Sequence, residues 1–139
     1  MKLMMRVFTG MHGKLFKLFG GKSLGGGSED GSVLLLTHTG AKSGKVRNTP
    51  LQFVRDGEDV VLMASAAGSD QHPGWYHNLV ANPDAQILIN GEPRQVTAQV
   101  PGADRQTPLL AKFAATDDRF AKYQDKTERT IPVVALKPR

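Results

Sequence analysis

One short basic segment of this sequence carries residues that could do chemistry. Between two apolar runs lie Lys42, Ser43, Gly44, Lys45 and Arg47. Ammonium and guanidinium groups bind phosphates and carboxylates, and glycine lets a ligand approach backbone N–H groups closely. The segment therefore predicts an anion-binding loop, with a solvated basic hairpin turn as the alternative. It lacks the glycine and lysine spacing of a P-loop and the glycine pattern of a dinucleotide-binding fold.

Other chemistries find little support. The chain has no cysteine, which excludes thiol nucleophiles, disulfides and thiolate metal sites. Its four histidines are not spaced as metal ligands, since even His72 and His77 do not share a helix face. No Ser-His-Asp set or pair of carboxylates stands out. We therefore predict no metal site and no hydrolytic activity.

Length and charge bound the class of protein. With 139 residues the chain forms one domain, and a net charge of +5 favours anionic partners. No apolar run is long enough to cross a membrane, and the N-terminus lacks a signal-peptide pattern, so we predict a cytoplasmic protein. Residues 2–19 have a basic amphipathic helical pattern. We expect this helix to pack on its own domain or to act as a lid, in preference to peripheral membrane contact. A glycine-rich linker follows, so that residues 1–31 precede a folded domain over 32–139.

Strand patterns dominate that domain. Apolar or alternating runs predict about six strands, at residues 33–36, 48–55, 60–64, 85–89, 93–100 and 131–136. Asp56-Gly57 and Asn90-Gly91 are hairpin turn signals. Helices are predicted at 73–82, where Trp75 and Leu79 share one face, and at 103–125, either interrupted or as two helices. The sum is an α+β fold built on a small, closed or half-closed antiparallel β-barrel.

A second loop complements the basic one. Ser65–Asp70 follows a strand that is apolar throughout and contains no bulky side chain to block a planar ligand. The single tryptophan, Trp75, stands on the next helix. Together these parts could hold a large anionic cofactor with charge at one end and a flat ring at the other. For Trp75 the alternative is an ordinary aromatic residue of the core.

Several motifs, taken together from Val33 to Leu136, resemble the deazaflavin-dependent nitroreductase family of actinobacteria. The matching segments are Gly40–Leu51, Arg55–Gly57, Ala64–Ser65, His72–Leu79, Asn82–Pro83, Tyr123–Thr127 and Arg129–Val134. The resemblance implies a split β-barrel and coenzyme F420, a 5-deazaflavin with a phosphate and an oligoglutamate tail. It also implies a cofactor site made by Lys42, Ser43, Gly44, Arg47, Thr49, Pro50, Leu51, Ala64, Ser65, Ala66, Ala67, Gly68, Trp75 and Asn78.

The implied reaction is hydride transfer from the reduced deazaflavin to an electrophilic small molecule. Suitable acceptors are quinones, nitroaromatics, and α,β-unsaturated esters or lactones of the coumarin or aflatoxin type. The implied substrate pocket contains Trp75, Phe120 and Tyr123, and the Tyr123 phenol is the candidate proton donor. Nitroimidazole-activating relatives carry aromatic residues at the positions of Asp117, Phe120 and Tyr123. Because only Tyr123 keeps a phenol here, we expect weak activation of bicyclic nitroimidazoles and favour quinones or enones.

The same residues leave other functions open. Family members often carry basic residues where this chain has Ala41 and Ala66, which predicts weaker cofactor binding unless Lys45 compensates. A non-catalytic F420 carrier and an FMN-dependent reductase on the same barrel are the nearest alternatives. A nucleic-acid or membrane-surface binder would interleave aromatic residues with the basic ones, and the basic loop does not. We expect no nucleic-acid partner and favour a monomer.

Overall fold

Seven strands and three helices make up residues 28–139, the part of the chain that the computed structural model describes. The strands are β1 Val33–Thr39, β2 Val46–Gln52, β3 Val54–Asp56, β4 Asp59–Met63, β5 Asp84–Ile89, β6 Glu92–Gln99 and β7 Val133–Pro138. The helices are α1 Gly74–Ala81, α2 Ala103–Thr116 and α3 Asp118–Asp125. The predicted helix over residues 2–19 and nearly all of the predicted linker lie outside the described residues.

The two edge strands of the sheet are neighbours in sequence, which forces the sheet to curl. The strand order is β2-β1-β5-β6-β7-β4-β3, and every pairing is antiparallel. β2 ends at Gln52 and β3 begins at Val54, so Phe53 alone connects the opposite edges. Gln52 and Val54 are two Cα–Cα steps apart, at most about 7 Å, whereas the two edges of a flat seven-stranded sheet would lie about 29 Å apart. The edges therefore meet, and Phe53 is fully buried where they do.

Inward-facing side chains fill the barrel that results. Residues from six strands pack there, among them Leu34, Leu36, Leu62, Ile87 and Leu136, each 0% exposed. Helix α1 adds Trp75 and Leu79 to the same cluster. Pro73, in an extended conformation, precedes this helix, and Asn82 ends it, as the sequence predicts.

Helices α2 and α3 cover the outer face of β3, β4 and β7. Phe113 and Phe120 meet edge to face there, with ring centroids 5.3 Å apart, over Val61 and Val133. The two helices are separate because Asp117 is extended, with φ −156°, and its carboxylate accepts a hydrogen bond from Arg119 N–H at the start of α3. Among residues 28–139, no helix has the length and apolar character needed to cross a bilayer.

The basic segment differs from the sequence prediction in its extent. β1 continues to Thr39 and β2 starts at Val46, with His38 paired to Arg47, so the loop itself spans only residues 40–45. The apolar run that marks β1 ends at Leu36, and polar residues hide the rest of the strand. The strand predicted at 48–55 is also two strands, since the chain passes from one sheet edge to the other at Phe53.

Candidate active site

The basic loop, residues 40–45, is folded by its own backbone. Gly40 N–H donates to Lys45 O at 2.8 Å, and Gly44 N–H donates to Gly40 O at 3.0 Å. Gly44 has φ +69°, a left-handed conformation that glycine adopts without strain. Ser43 Oγ accepts from Lys45 N–H at 3.2 Å. This turn leaves Lys42 and Ser43 at its exposed tip.

A groove of about 460 Å³ lies between this loop and helix α1, and we call it the basic groove. Its lining residues are Gly40, Ala41, Lys42, Ser43, Arg47, Gly74, His77 and Asn78. Within residues 28–139, no carboxylate pairs with Lys42, Lys45 or Arg47, and no acceptor lies on the N–H groups of Lys42 and Ser43. Cations and N–H donors that face one groove suit a phosphate or a carboxylate.

A buried histidine connects the loop to the barrel. His38, 3% exposed, lies with Nε2 2.9 Å from Thr49 Oγ1 and Nδ1 3.1 Å from Asn78 Nδ2. Asn78 Oδ1 accepts from Ala41 N–H at 2.9 Å. Burial, and then the nearby Arg47 guanidinium, lower the pKa of His38 to about 4. This histidine is therefore neutral at neutral pH.

The second loop, Ser65–Ser69, contains a turn in which three consecutive residues have positive φ. The angles are +45° at Ala66, +54° at Ala67 and +85° at Gly68. The left-handed conformation costs an alanine about 1 kcal/mol or more. At Gly68 a side chain would meet Tyr123 O and the Lys126 side chain at 2.9 Å, so the turn also packs closely on the end of α3.

Arg129 holds this strained turn by its carbonyl oxygens. Nη2 donates to Ala64 O at 3.1 Å and Ser65 O at 2.9 Å, and Nε donates to Ser69 O at 2.8 Å. Nη1 lies 2.9 Å from His72 Nδ1, which must accept. Burial and then Arg129 lower the pKa of His72, in agreement with that role. One guanidinium thus spans both sides of the turn.

An apolar cavity of about 310 Å³ lies beside the turn. It is lined by Val33, Pro50, Leu51, Gln52, Met63, Ser65, Ala67, Phe113, Phe120 and Tyr123. Phe120 and Tyr123 meet edge to face, with ring centroids 5.8 Å apart. A flat, largely apolar ring fits such a lining, and the hydroxyl of Tyr123 is a polar group at its wall.

Strand β2 connects the two sites. Arg47, near its start, lines the basic groove, and Pro50, Leu51 and Gln52, at its end, line the apolar cavity. Five residues of strand span about 17 Å. β2 is an edge strand whose residues are all at least partly exposed. An elongated ligand with an anionic end and a ring can therefore lie along it.

The predicted site residues fall into two groups and a remainder. Lys42, Ser43, Arg47 and Asn78 line the basic groove, whereas Pro50, Leu51, Ser65, Ala67, Phe120 and Tyr123 line the cavity. Gly44 shapes the loop, Thr49 faces His38, and Ala66 and Gly68 shape the turn. Ala64 is fully buried; its N–H donates a hydrogen bond to Pro132 O, and its carbonyl accepts one from Arg129. Trp75 is 7% exposed, belongs to the barrel interior and lines neither site.

Sequence reasoning assigned no role to several residues of these sites. His38 and Arg129 organise the two loops, and Phe113 and Met63 line the cavity. Arg129 lies within a recognised motif, but the partners of its side chain are 57 or more residues away in sequence, beyond the reach of local patterns. In residues 28–139 no three His, Asp or Glu side chains cluster as metal ligands would.

The chain is similar to known proteins in both sequence and structure. A family model described as F420H(2)-dependent quinone reductase matches residues 9–138. An F420H(2)-dependent quinone reductase of Mycobacterium tuberculosis is 42% identical over 106 residues, which cover 74% of this chain and 71% of that protein. The solved structure of an F420-H2 dependent reductase, FDR-A, matches with a TM-score of 0.68 and 34% identity, covering 76% of this chain and 93% of that one.

A second solved structure matches over more of the chain. It is described as a domain-swapped dimer, and it matches with a TM-score of 0.71 and 28% identity over 93% of this chain and 98% of that one. Together with FDR-A it confirms the predicted α+β split β-barrel. The family resemblance inferred from the motifs is confirmed as well.

Proposed function

Since the chain belongs to the F420H(2)-dependent quinone reductase family, we propose that it transfers a hydride from reduced coenzyme F420 to a quinone. It is an F420-dependent oxidoreductase, as the resemblance implied. The proposal rests on one observation: strand β2 has the basic groove at one end and the apolar cavity at the other. The cofactor has the same two-ended chemistry.

The basic groove fits the charged end of the cofactor. Lys42 and Arg47 supply positive charge, and Ser43 supplies a hydroxyl. The N–H groups of Lys42 and Ser43, which have no acceptor in the described part of the chain, supply donors for phosphate oxygens. Glutamate carboxylates further along the tail would meet the same positive field. Ala41, where relatives often have a basic residue, leaves this groove with one cation fewer.

The turn and the cavity fit the ring. Within the described chain no acceptor lies on the N–H groups of Ala66 and Ala67, and both residues are exposed, so these donors are free for ring oxygens. Ala64 and Ser65 have their carbonyls engaged by Arg129 and support the turn from behind. Pro50 and Leu51 provide an apolar edge.

When bound, the reduced cofactor supplies a hydride, so a quinone needs one further proton to become the hydroquinone. The phenol of Tyr123 lines the cavity and is our candidate for that proton, which solvent would then replace. Phe113, Phe120 and Met63 exclude water from the cavity and orient an apolar ring. A donor near the acceptor oxygen also stabilises the negative charge that develops there.

The acceptor follows from the same lining. We propose quinones first and α,β-unsaturated lactones of the coumarin or aflatoxin type second, since both are flat and mainly apolar. Nitroaromatics are the weakest candidates. Asp117 does not line the cavity and is bound to Arg119 at 2.7 Å, so only Phe120 and Tyr123 of the three positions used by nitroimidazole-activating relatives face it. Robust turnover of a bicyclic nitroimidazole would overturn this ranking.

Partners and location also remain proposals. We propose a small-molecule acceptor, no nucleic acid and a monomeric state, with a domain-swapped dimer like that of the similar solved structure as the alternative. Light scattering of the purified chain decides between the two. We place the protein in the cytoplasm, with residues 2–19 as the candidate for membrane contact, and flotation with anionic vesicles tests that contact.

Cofactor titration tests the proposed function. Isothermal titration with F420 and with FMN should show binding of F420 alone, because the groove and not the ring site distinguishes them. Binding of FMN alone would assign the chain to a flavin enzyme on the same barrel. Binding of F420 without reduction of menadione, coumarin or a nitroaromatic would instead support a carrier.

A further inference from the structure

Three hydrogen bonds in series run from strand β2 to the basic loop, through Thr49, His38, Asn78 and Ala41. We propose that Asn78 and His38 are positioning residues that hold the basic loop in its anion-binding conformation before any ligand arrives. The identity of that anion, the tail of F420, rests on the proposed function; the positioning itself does not. Asn78 also lines the basic groove, so the contact with the cofactor that the family resemblance implies for it stays a prediction.

The backbone N–H of Ala41 fixes which atom donates and which accepts in each of the three hydrogen bonds. Ala41 N–H can only donate, so the atom of Asn78 at 2.9 Å from it must be the amide oxygen. Asn78 Nδ2 then points at His38 Nδ1 and donates to it. His38 therefore carries its proton on Nε2 and donates it to Thr49 Oγ1. A backbone N–H in the loop thus fixes the tautomer of a histidine inside the barrel.

The arrangement requires an uncharged His38. A proton on Nδ1 would face the amide N–H of Asn78, and turning that amide would bring its NH₂ group against Ala41 N–H. Either way two donors oppose each other and the loop loses its attachment to α1. The charged group that faces His38 is Arg47, its partner in the β1–β2 register, which disfavours a second positive charge. From α1 the neighbouring side chain is the neutral amide of Asn78.

The link to Ala41 matters because the loop has few other attachments. Residues 41–45 are exposed, and among residues 28–139 the other hydrogen bonds of the loop connect it to itself. Ala41 directly precedes Lys42 and Ser43, whose N–H groups have no acceptor among residues 28–139 and can bind an anion. Fixing Ala41 to the helix therefore orders the donors in advance, which removes part of the entropy cost of binding.

Nuclear magnetic resonance tests the positioning without any cofactor. In the wild-type chain we expect His38 to be the Nε2–H tautomer, and in Asn78→Ala we expect the Ala41 amide to exchange about tenfold faster, as the loss of one hydrogen bond predicts. Asn82→Ala is the matched control, since Asn82 lies one helical turn further on and its side-chain amide donates to Thr39 O, at 3.4 Å, and not to Ala41 or His38. In Asn78→Asp a carboxylate faces Nδ1, so the pKa of His38 should rise.

A pair of ligands tests whether the loss of affinity falls on the charged tail, which the basic loop would bind, or on the ring. Asn78→Ala should lower the affinity for F420 by about tenfold. The affinity for the deazaflavin fragment that lacks phosphate and glutamates should not change. Equal exchange of Ala41 in Asn78→Ala and Asn82→Ala, an Nδ1–H tautomer, or equal losses for both ligands would each overturn the positioning role. If wild-type chain does not bind F420, the proposed function fails, and the tautomer and exchange data still decide this inference.

Discussion

The guanidinium of Arg129 and the carbonyl of Ser65, 64 residues apart in sequence, meet at 2.9 Å. The same guanidinium reaches Ala64 and Ser69, so it bridges the entry and the exit of the turn that carries Ala66 and Ala67. Consecutive left-handed alanines persist only where the surroundings hold them. Arg129 supplies that restraint at the wall of the proposed ring site.

Arg129→Lys should therefore loosen the turn while keeping the charge. One ammonium group cannot reach three carbonyls and His72, so we expect the free energy of unfolding to fall by about 2 kcal/mol. F420 binding should weaken by about tenfold, because the N–H donors of the turn are no longer ordered. Chemical denaturation and calorimetric titration measure the two effects. Arg94→Lys, at an exposed position with a 3.9 Å ion pair, is the control and should change neither; equal behaviour of the two variants would contradict the role of Arg129.

Lys42 and Lys45 offer a matched test of the basic groove. Both are exposed loop lysines, but only Lys42 lines the groove. Lys42→Ala should lower the affinity for F420 by about tenfold, and Lys45→Ala should lower it by less than about threefold, although each variant removes one charge. The salt dependence of the dissociation constant should become shallower in Lys42→Ala. If both variants lose affinity equally, long-range charge and not the groove holds the tail.

Tyr123→Phe tests the proton donor. The variant keeps the ring that packs on Phe120 and removes only the hydroxyl, so cofactor affinity should stay within about twofold while kcat for menadione falls by about 100-fold. Tyr76→Phe, the same change at a half-buried tyrosine outside the cavity, should leave kcat unchanged. An unchanged kcat in Tyr123→Phe would assign the proton to solvent.

Buried His38 predicts a pH dependence of stability. Its pKa is about 4 in the folded chain against the ordinary 6.5, so between these values the unfolded chain binds more protons. The stabilising contribution is thus complete above pH 6.5 and is lost as the pH falls toward 4. The loss is about 3 kcal/mol over that window, at about 1.4 kcal/mol for each pH unit. His38→Gln should flatten the unfolding curve there, whereas exposed His77→Gln should not; a wild-type curve without this decline would refute the neutral histidine.

Local patterns in the sequence predicted the elements well where one residue type decides the backbone. Asn90 and Gly91 both have positive φ, +51° and +80°, in the predicted hairpin between β5 and β6. Pro73 and Pro83 bracket helix α1, as expected from the rigid proline ring. The basic groove was likewise predictable in part, because its cations indicate anion binding, whereas the family resemblance alone implied that Phe120 and Tyr123 share a pocket.

The remaining features depend on contacts between distant segments. Nothing local marks Thr37 and His38 as buried strand residues, because their burial comes from the packed barrel. The family resemblance implied that Trp75 lies near the ring or the substrate. It packs inside the barrel with Leu79, as in the alternative of an ordinary aromatic residue of the core. Arg129 acquires its role only when the chain end folds back onto the turn.

Turnover tests the central claim most directly. Purified protein is mixed with reduced F420 and menadione, and the absorbance of the oxidised deazaflavin is followed under air-free conditions, with Lys42→Ala and Tyr123→Phe in parallel. We expect catalysed oxidation of the cofactor that depends on both protein and quinone. Excess cofactor should restore the turnover rate of Lys42→Ala but not that of Tyr123→Phe. Oxidation no faster than in a protein-free sample, at cofactor concentrations that saturate binding, would contradict the assignment of this chain as a quinone reductase.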